Sequence, residues 1–68
     1  MCRNIKQLRY PDRSATDQEL EEAALQYVRK ISGFRKPSQV NQAVFDQAVE
    51  DIATVSQRLL QGLVVRGG

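Results

Sequence analysis

The fold is decided by the stretch TDQELEEAALQYVRKISG, residues 16–33, which carries the signals for the start, the apolar face and the end of one helix. Thr16 and Glu19 have the spacing of a capping box, in which each side chain accepts a hydrogen bond from the other residue's backbone N–H. Gly33 suits the left-handed conformation that ends many helices. Between these ends, apolar residues recur every three or four positions: Leu20, Ala23, Ala24, Tyr27, Val28 and Ile31. This period predicts a first helix at about residues 17–32, or 16–33 with its caps.

The residues that follow predict a second, longer helix at about residues 39–61, or 38–62 with its flanking positions. Ser38, directly after Pro37, is a natural N-cap, and Asn41 is an alternative start. The linker, residues 34–38, is short, so we expect the two helices to pack against each other as a hairpin. Apolar residues keep the helical period for about five turns: Val44, Phe45, Ala48, Val49, Ile52, Val55, Leu59, Leu60 and Leu63.

The second helix has more apolar surface than the first helix can cover. Its 24 residues from 38 to 61 would span about 36 Å at about 1.5 Å per residue. Either the N-terminal arm covers the excess, or a second copy of the chain does so. We favour the second arrangement and predict an all-α fold in which the hairpin dimerises into a helical bundle. The predicted interaction face consists of apolar residues of this helix: Val44, Phe45, Ile52, Val55, Leu59 and Leu63.

Composition excludes most small catalytic sites. The 68 residues include 10 Lys plus Arg, 8 Asp plus Glu, one Cys and no His. Without an imidazole, Ser-His-Asp and Cys-His nucleophile activation is excluded, as are His-containing zinc and haem sites. One Cys cannot form an internal disulfide, and the acids Asp46, Glu50 and Asp51 do not share one helix face. We therefore expect no metal, no cofactor and no enzymatic activity. The length of 68 residues allows only a single domain, which we place at residues 1–68.

The helices are flanked by an extended arm, residues 1–15, and a frayed tail, residues 63–68. Pro11 disfavours helical backbone at the residue before it. No segment has the apolar run of a secretory signal or the ~20 apolar residues of a membrane span, so we expect a cytoplasmic protein with no membrane partner. Cys2 has two interpretations: a reactive N-terminal thiol next to Arg3, or a small hydrophobe that anchors the arm. We favour the second.

Four cations lie around the predicted inter-helix turn: Arg29, Lys30, Arg35 and Lys36. Together with Arg3 and Lys6 of the arm, they would suit phosphate or nucleic acid near the start of the second helix. The alternative, which we favour, is that Arg29 and Lys30 complement the dipole of the first helix and the other two are solvated loop charges. A helix-turn-helix DNA reader, in which Gln39, Asn41 and Gln42 would contact base edges, is disfavoured because residues 37–68 carry two cations against three acids, and phosphates repel a net acidic helix.

Several motifs, taken together, resemble a known family. They are Met-Cys-Arg-Asn-Ile-Lys at residues 1–6, Ala-Thr-Asp-Gln-Glu at 15–19, Leu-Gln-Tyr-Val-Arg-Lys-Ile-Ser-Gly at 25–33, and Pro-Ser at 37–38. The chain resembles a family of short, mostly bacterial proteins of unknown function that open with Met-Cys-Arg-Asn-Ile. The resemblance implies a bacterial cytoplasmic origin. It supplies no catalytic residue, cofactor or partner.

The function these observations favour is a small non-enzymatic interaction module. It would self-associate, or bind a protein partner, through its apolar helix faces. The alternative is phosphate or nucleic-acid binding through the basic turn.

Overall fold

The structure, a computed structural model that describes residues 7–64, contains two α-helices that pack as an antiparallel hairpin. Helix α1 is Asp17–Ser32 and helix α2 is Gln42–Gly62. A single turn of 3-10 helix, Gln39–Asn41, leads into α2, and no strand occurs within residues 7–64. The predicted all-α helical hairpin is confirmed, and residues 7–15 of the predicted arm are irregular.

Helix α1 begins and ends where its sequence predicts. The Thr16 hydroxyl accepts a hydrogen bond from the backbone N–H of Glu19 at 3.1 Å, and the Glu19 carboxylate accepts one from the backbone N–H of Thr16 at 2.9 Å. Both halves of the capping box are therefore formed. At the other end Gly33 has φ 77°, and its N–H donates to the carbonyl of Arg29 at 2.9 Å. This left-handed position is where glycine avoids the steric cost that a Cβ would impose.

Helix α2 starts at the later of the two predicted positions, with Asn41 as its N-cap residue. Ser38 is extended, as an N-cap should be, but its hydroxyl accepts from the Asn41 side-chain amide at 2.9 Å instead of capping a backbone N–H. The Asn41 backbone N–H donates to the Ser38 carbonyl, three residues back, at 2.9 Å. This shorter spacing winds residues 39–41 as 3-10 helix, so regular α-helix begins at Gln42.

The core of the hairpin is small. Among the described residues, the buried hydrophobic side chains are Leu20, Ala24 and Val28 of α1 and Phe45 of α2. Across the hairpin the molecule measures only 21 by 15 Å, the dimensions of one layer of two helices. Stable domains usually pack two layers around their core. Within residues 7–64, one side of α2 therefore has no helix packed over it.

The described part of the arm is fixed to the start of α1 by Glu19. Its carboxylate accepts a hydrogen bond from the Tyr10 hydroxyl at 2.8 Å and two from the Arg13 guanidinium, each at 3.0 Å. The same guanidinium lies 4.0 Å from the centre of the Tyr10 ring, a cation–π contact. The hydrogen bonds from Arg13 hold the pKa of Glu19 well below its usual range, and those to Glu19 raise the pKa of Arg13.

Within residues 7–64, neither helix combines the length and the apolar character that crossing a lipid bilayer requires.

Candidate interaction surface

The main surface feature is an apolar stripe on α2 that α1 covers only in part. We call it the seam and define it as Val44, Ala48, Ile52, Val55 and Leu59. Val44 is 73% exposed, Val55 56% and Leu59 59%, whereas Ala48 and Ile52 are partly covered. The steps of four, three and four residues from Ala48 to Leu59 are those of a coiled-coil heptad. The seam therefore has the residue pattern of a helix that packs against another helix.

Helix α2 carries a second apolar stripe, and that stripe faces α1. Phe45 is only 7% exposed, and Val49 and Leu60 are partly covered. The sequence prediction that Phe45 belongs to the interaction face is therefore wrong, because Phe45 is part of the hairpin core. Leu63 lies just beyond the end of α2, where the backbone is extended, and is 41% exposed. The other predicted residues, Val44, Ile52, Val55 and Leu59, lie together on the seam.

The C-terminal half of α1 adds apolar surface of its own. Tyr27, Ile31 and the following Phe34 are exposed, and Ile31 is 65% exposed. Because the hairpin is antiparallel, this end of α1 lies beside the start of α2, where Val44 begins the seam. The seam thus has a neighbouring apolar region at the end of the hairpin that contains the turn.

Two oppositely charged residues, Asp51 and Arg58, lie beside the seam. Asp51 lies one turn before Val55 and Arg58 lies three residues after it, so both are surface neighbours of Val55. Both side chains are exposed, and Asp51 accepts a hydrogen bond from the Gln47 amide at 2.9 Å. No ion pair joins either charge to another of residues 7–64.

A shallow groove on another side of the hairpin combines acidic and apolar residues. Leu25, Phe45 and Val49 line it together with Gln18, Glu21, Glu22, Asp46 and Glu50. The acids of α2 that lie away from the seam therefore face a side of the molecule that is already acidic. In the part of the chain that the structure describes, no group of three or more Asp, Glu, Cys or His residues could hold a metal ion.

The structure brings together three of the four cations predicted as an anion site. Arg29, Lys30 and Arg35 line a shallow surface depression with Gly33 and Phe34, and Lys36 is exposed outside it. The Arg29 guanidinium Nε donates to the Arg35 carbonyl at 2.9 Å, so this side chain closes the turn. Arg29 therefore has a structural role whether or not an anion binds. Cys2, Arg3 and Lys6 lie outside the described residues, as do residues 65–68 of the predicted tail.

The contacts of Tyr10 and Arg13 with Glu19 are not predictable from any sequence pattern. The capping box explains why Glu19 is needed at the start of α1, but residues six and nine positions earlier lie in an irregular segment without a repeating pattern. The signal present was only compositional: a cation and an aromatic phenol before a helix whose first turn is acidic.

The chain belongs to an uncharacterised conserved protein family, DUF2277, which matches residues 1–67. This agrees with the resemblance to a family of unknown function, whereas the N-terminal motif and the bacterial origin of that family remain expectations. No curated protein matches the chain, and no solved structure matches it.

Proposed function

We propose that this protein is a non-enzymatic interaction module that self-associates through the seam on α2. The observation that carries the proposal is the exposure of Val44, Val55 and Leu59, each more than half exposed on a helix that has a separate apolar stripe for α1. Apolar residues in heptad spacing are typical of helices that pack against other helices.

The energy available from the seam is of the size that a moderate dimer needs. Fully burying a Val or Leu side chain is worth about 1.5–3 kcal/mol. Scaled by the exposed fractions of Val44, Val55 and Leu59, this gives roughly 4 kcal/mol per copy and roughly 8 kcal/mol for a pair. Loss of translational and rotational freedom costs about 4–15 kcal/mol. We therefore expect a reversible dimer and not an obligate one.

The test is the mass of the protein in solution, measured by sedimentation equilibrium from micromolar to millimolar concentration. We expect a concentration-dependent dimer for the native chain and a monomer for Val55→Asp, because the substitution places a charge in the seam. Thr54→Asp is the matched control, since Thr54 is the exposed neighbouring residue off the seam. Circular dichroism checks that all three proteins are helical. A native chain that stays monomeric throughout this range would contradict the proposal.

The proposal includes a bacterial cytoplasmic location and the absence of catalysis. The resemblance to mostly bacterial proteins supports the first part. The lack of any His in the sequence supports the second, because it removes the commonest general base. A Cys-directed probe that labels the native protein faster than the denatured protein would contradict the second part by showing an activated Cys2.

Phosphate or nucleic-acid binding at the basic turn is the second candidate function. It is favoured by the depression that Arg29, Lys30 and Arg35 share. Filter binding to a labelled nucleic acid should then weaken with salt and with Lys30→Glu or Arg35→Glu. Unchanged binding in both variants would eliminate this candidate.

A further inference from the structure

The charges beside the seam indicate how a second copy would be oriented. Asp51 and Arg58 are seven residues apart, or about 10.5 Å along the helix axis, which is too far for them to pair with each other. They lie on the same border of the seam, with Val55 between them. One oxygen of Asp51 accepts the Gln47 bond, and no cation among residues 7–64 contacts either oxygen.

We infer that two copies pair with their α2 helices antiparallel, so that Asp51 of each copy forms an ion pair with Arg58 of the other. This inference rests on the proposed self-association and specifies its partner as a second copy of the chain. An antiparallel two-fold axis midway between residues 53 and 54 brings Asp51 of each copy to within about 3 Å, measured along the helix axis, of Arg58 of the other copy. Both ion pairs therefore form together, as the self-complementary interface of a two-fold dimer requires.

The apolar residues of the seam fit the same arrangement. With this axis, Ile52 of one copy lies opposite Val55 of the other, and Ala48 lies opposite Leu59. The small side chain of Ala48 thus faces the large side chain of Leu59, so the space between the two helices is filled at that height. In a parallel pair, by contrast, equal residues lie at the same height. Ala48 would face Ala48 and leave a gap, and neither Asp51 would have a cation at its height.

Charge reversal tests the ion pairs. Asp51→Arg alone, or Arg58→Asp alone, puts like charges at both contacts and should raise the dimer dissociation constant about tenfold. The double variant Asp51→Arg/Arg58→Asp should restore the native value. Glu50→Arg is the matched control, because it makes the same charge change in the shallow groove away from the seam and should leave the constant nearly unchanged. Single reversals that leave dimerisation unchanged would overturn the inference.

Disulfide trapping tests the orientation independently of charge. In a Cys2→Ser background, Ala48→Cys and Leu59→Cys proteins are prepared separately, mixed and oxidised mildly. An antiparallel pair predicts a cross-link only between the two different proteins, whereas a parallel pair predicts cross-links within each protein alone. If the native chain dimerises but the cross-links form within Ala48→Cys alone and within Leu59→Cys alone, the inference is overturned and the proposed self-association stands. A native chain that is monomeric at every concentration would overturn both.

Discussion

The division of α2 into a buried stripe and an exposed seam predicts very different costs for two adjacent substitutions, Phe45→Ala and Val44→Ala. Phe45 is 7% exposed and packs in the core, whereas Val44 is 73% exposed. Truncating a buried Phe to Ala typically costs about 3–5 kcal/mol, because the transfer free energy is lost and a cavity remains. Truncating Val44 removes little buried surface and improves helix propensity by a few tenths of a kcal/mol.

The difference is large compared with the stability that a chain of this length can have. At roughly 0.05–0.15 kcal/mol per residue, its 68 residues give a free energy of unfolding of about 3–10 kcal/mol. Phe45→Ala should therefore unfold a large fraction of the protein. Phe45→Leu should lower the free energy of unfolding by less than Phe45→Ala. Its folded state should therefore stay populated, so that its urea midpoint can be compared with that of Val44→Ala.

The assay is urea unfolding followed by far-ultraviolet circular dichroism. It is best performed in the Val55→Asp background, since dimerisation would otherwise make stability depend on protein concentration. We expect Phe45→Leu to lower the urea midpoint clearly and Val44→Ala to leave it nearly unchanged. Equal losses at the two positions would refute the assignment of Phe45 to the core and Val44 to the seam.

Two further predictions concern the ends of α1. Gly33→Ala should cost about 1 kcal/mol in urea unfolding, because φ is 77° there, whereas no heavy atom lies within 4 Å of the added Cβ. Equal stability of the two proteins would argue against the left-handed end of α1. The Glu19 carboxylate should contribute fully to the free energy of unfolding when the pH is above the ordinary pKa of a glutamate. This contribution should decline as the pH falls toward the lowered pKa that Glu19 has in the folded state. Near-ultraviolet circular dichroism of Tyr10 should follow this loss, and Glu19→Gln should abolish the pH dependence.

Local signals made the ends of α1 predictable from the sequence. Thr16, Glu19 and Gly33 act through hydrogen bonds and backbone angles within a few residues, so their spacing alone identifies them. The start of α2 was less predictable, because Ser38 and Asn41 each have two hydrogen-bonding groups. Which groups pair decides whether the first turn is 3-10 or α, and this is not visible in the order of the residues.

The interaction surface was only partly predictable, for a different physical reason. Phe45 and Val44 are adjacent and both fit a helical apolar period, yet a rotation of α2 by one residue, about 100°, would exchange their environments. The structure gives α2 an orientation that buries Phe45 against α1. The arm contacts were unpredictable for a third reason, since Tyr10 and Arg13 meet Glu19 across an irregular segment.

The same rotation of α2 links the stability of the hairpin to the proposed dimer. Turning Phe45 toward α1 gives the hairpin the largest of the buried side chains in residues 7–64 and at the same time leaves Val55 and Leu59 exposed. The opposite rotation would cover the seam but expose Phe45, so one partner helix cannot cover both stripes. A second α2 can cover the remaining stripe without disturbing the first. Association should therefore stabilise the folded hairpin, and the urea midpoint of the native chain should rise with protein concentration while that of Val55→Asp stays constant.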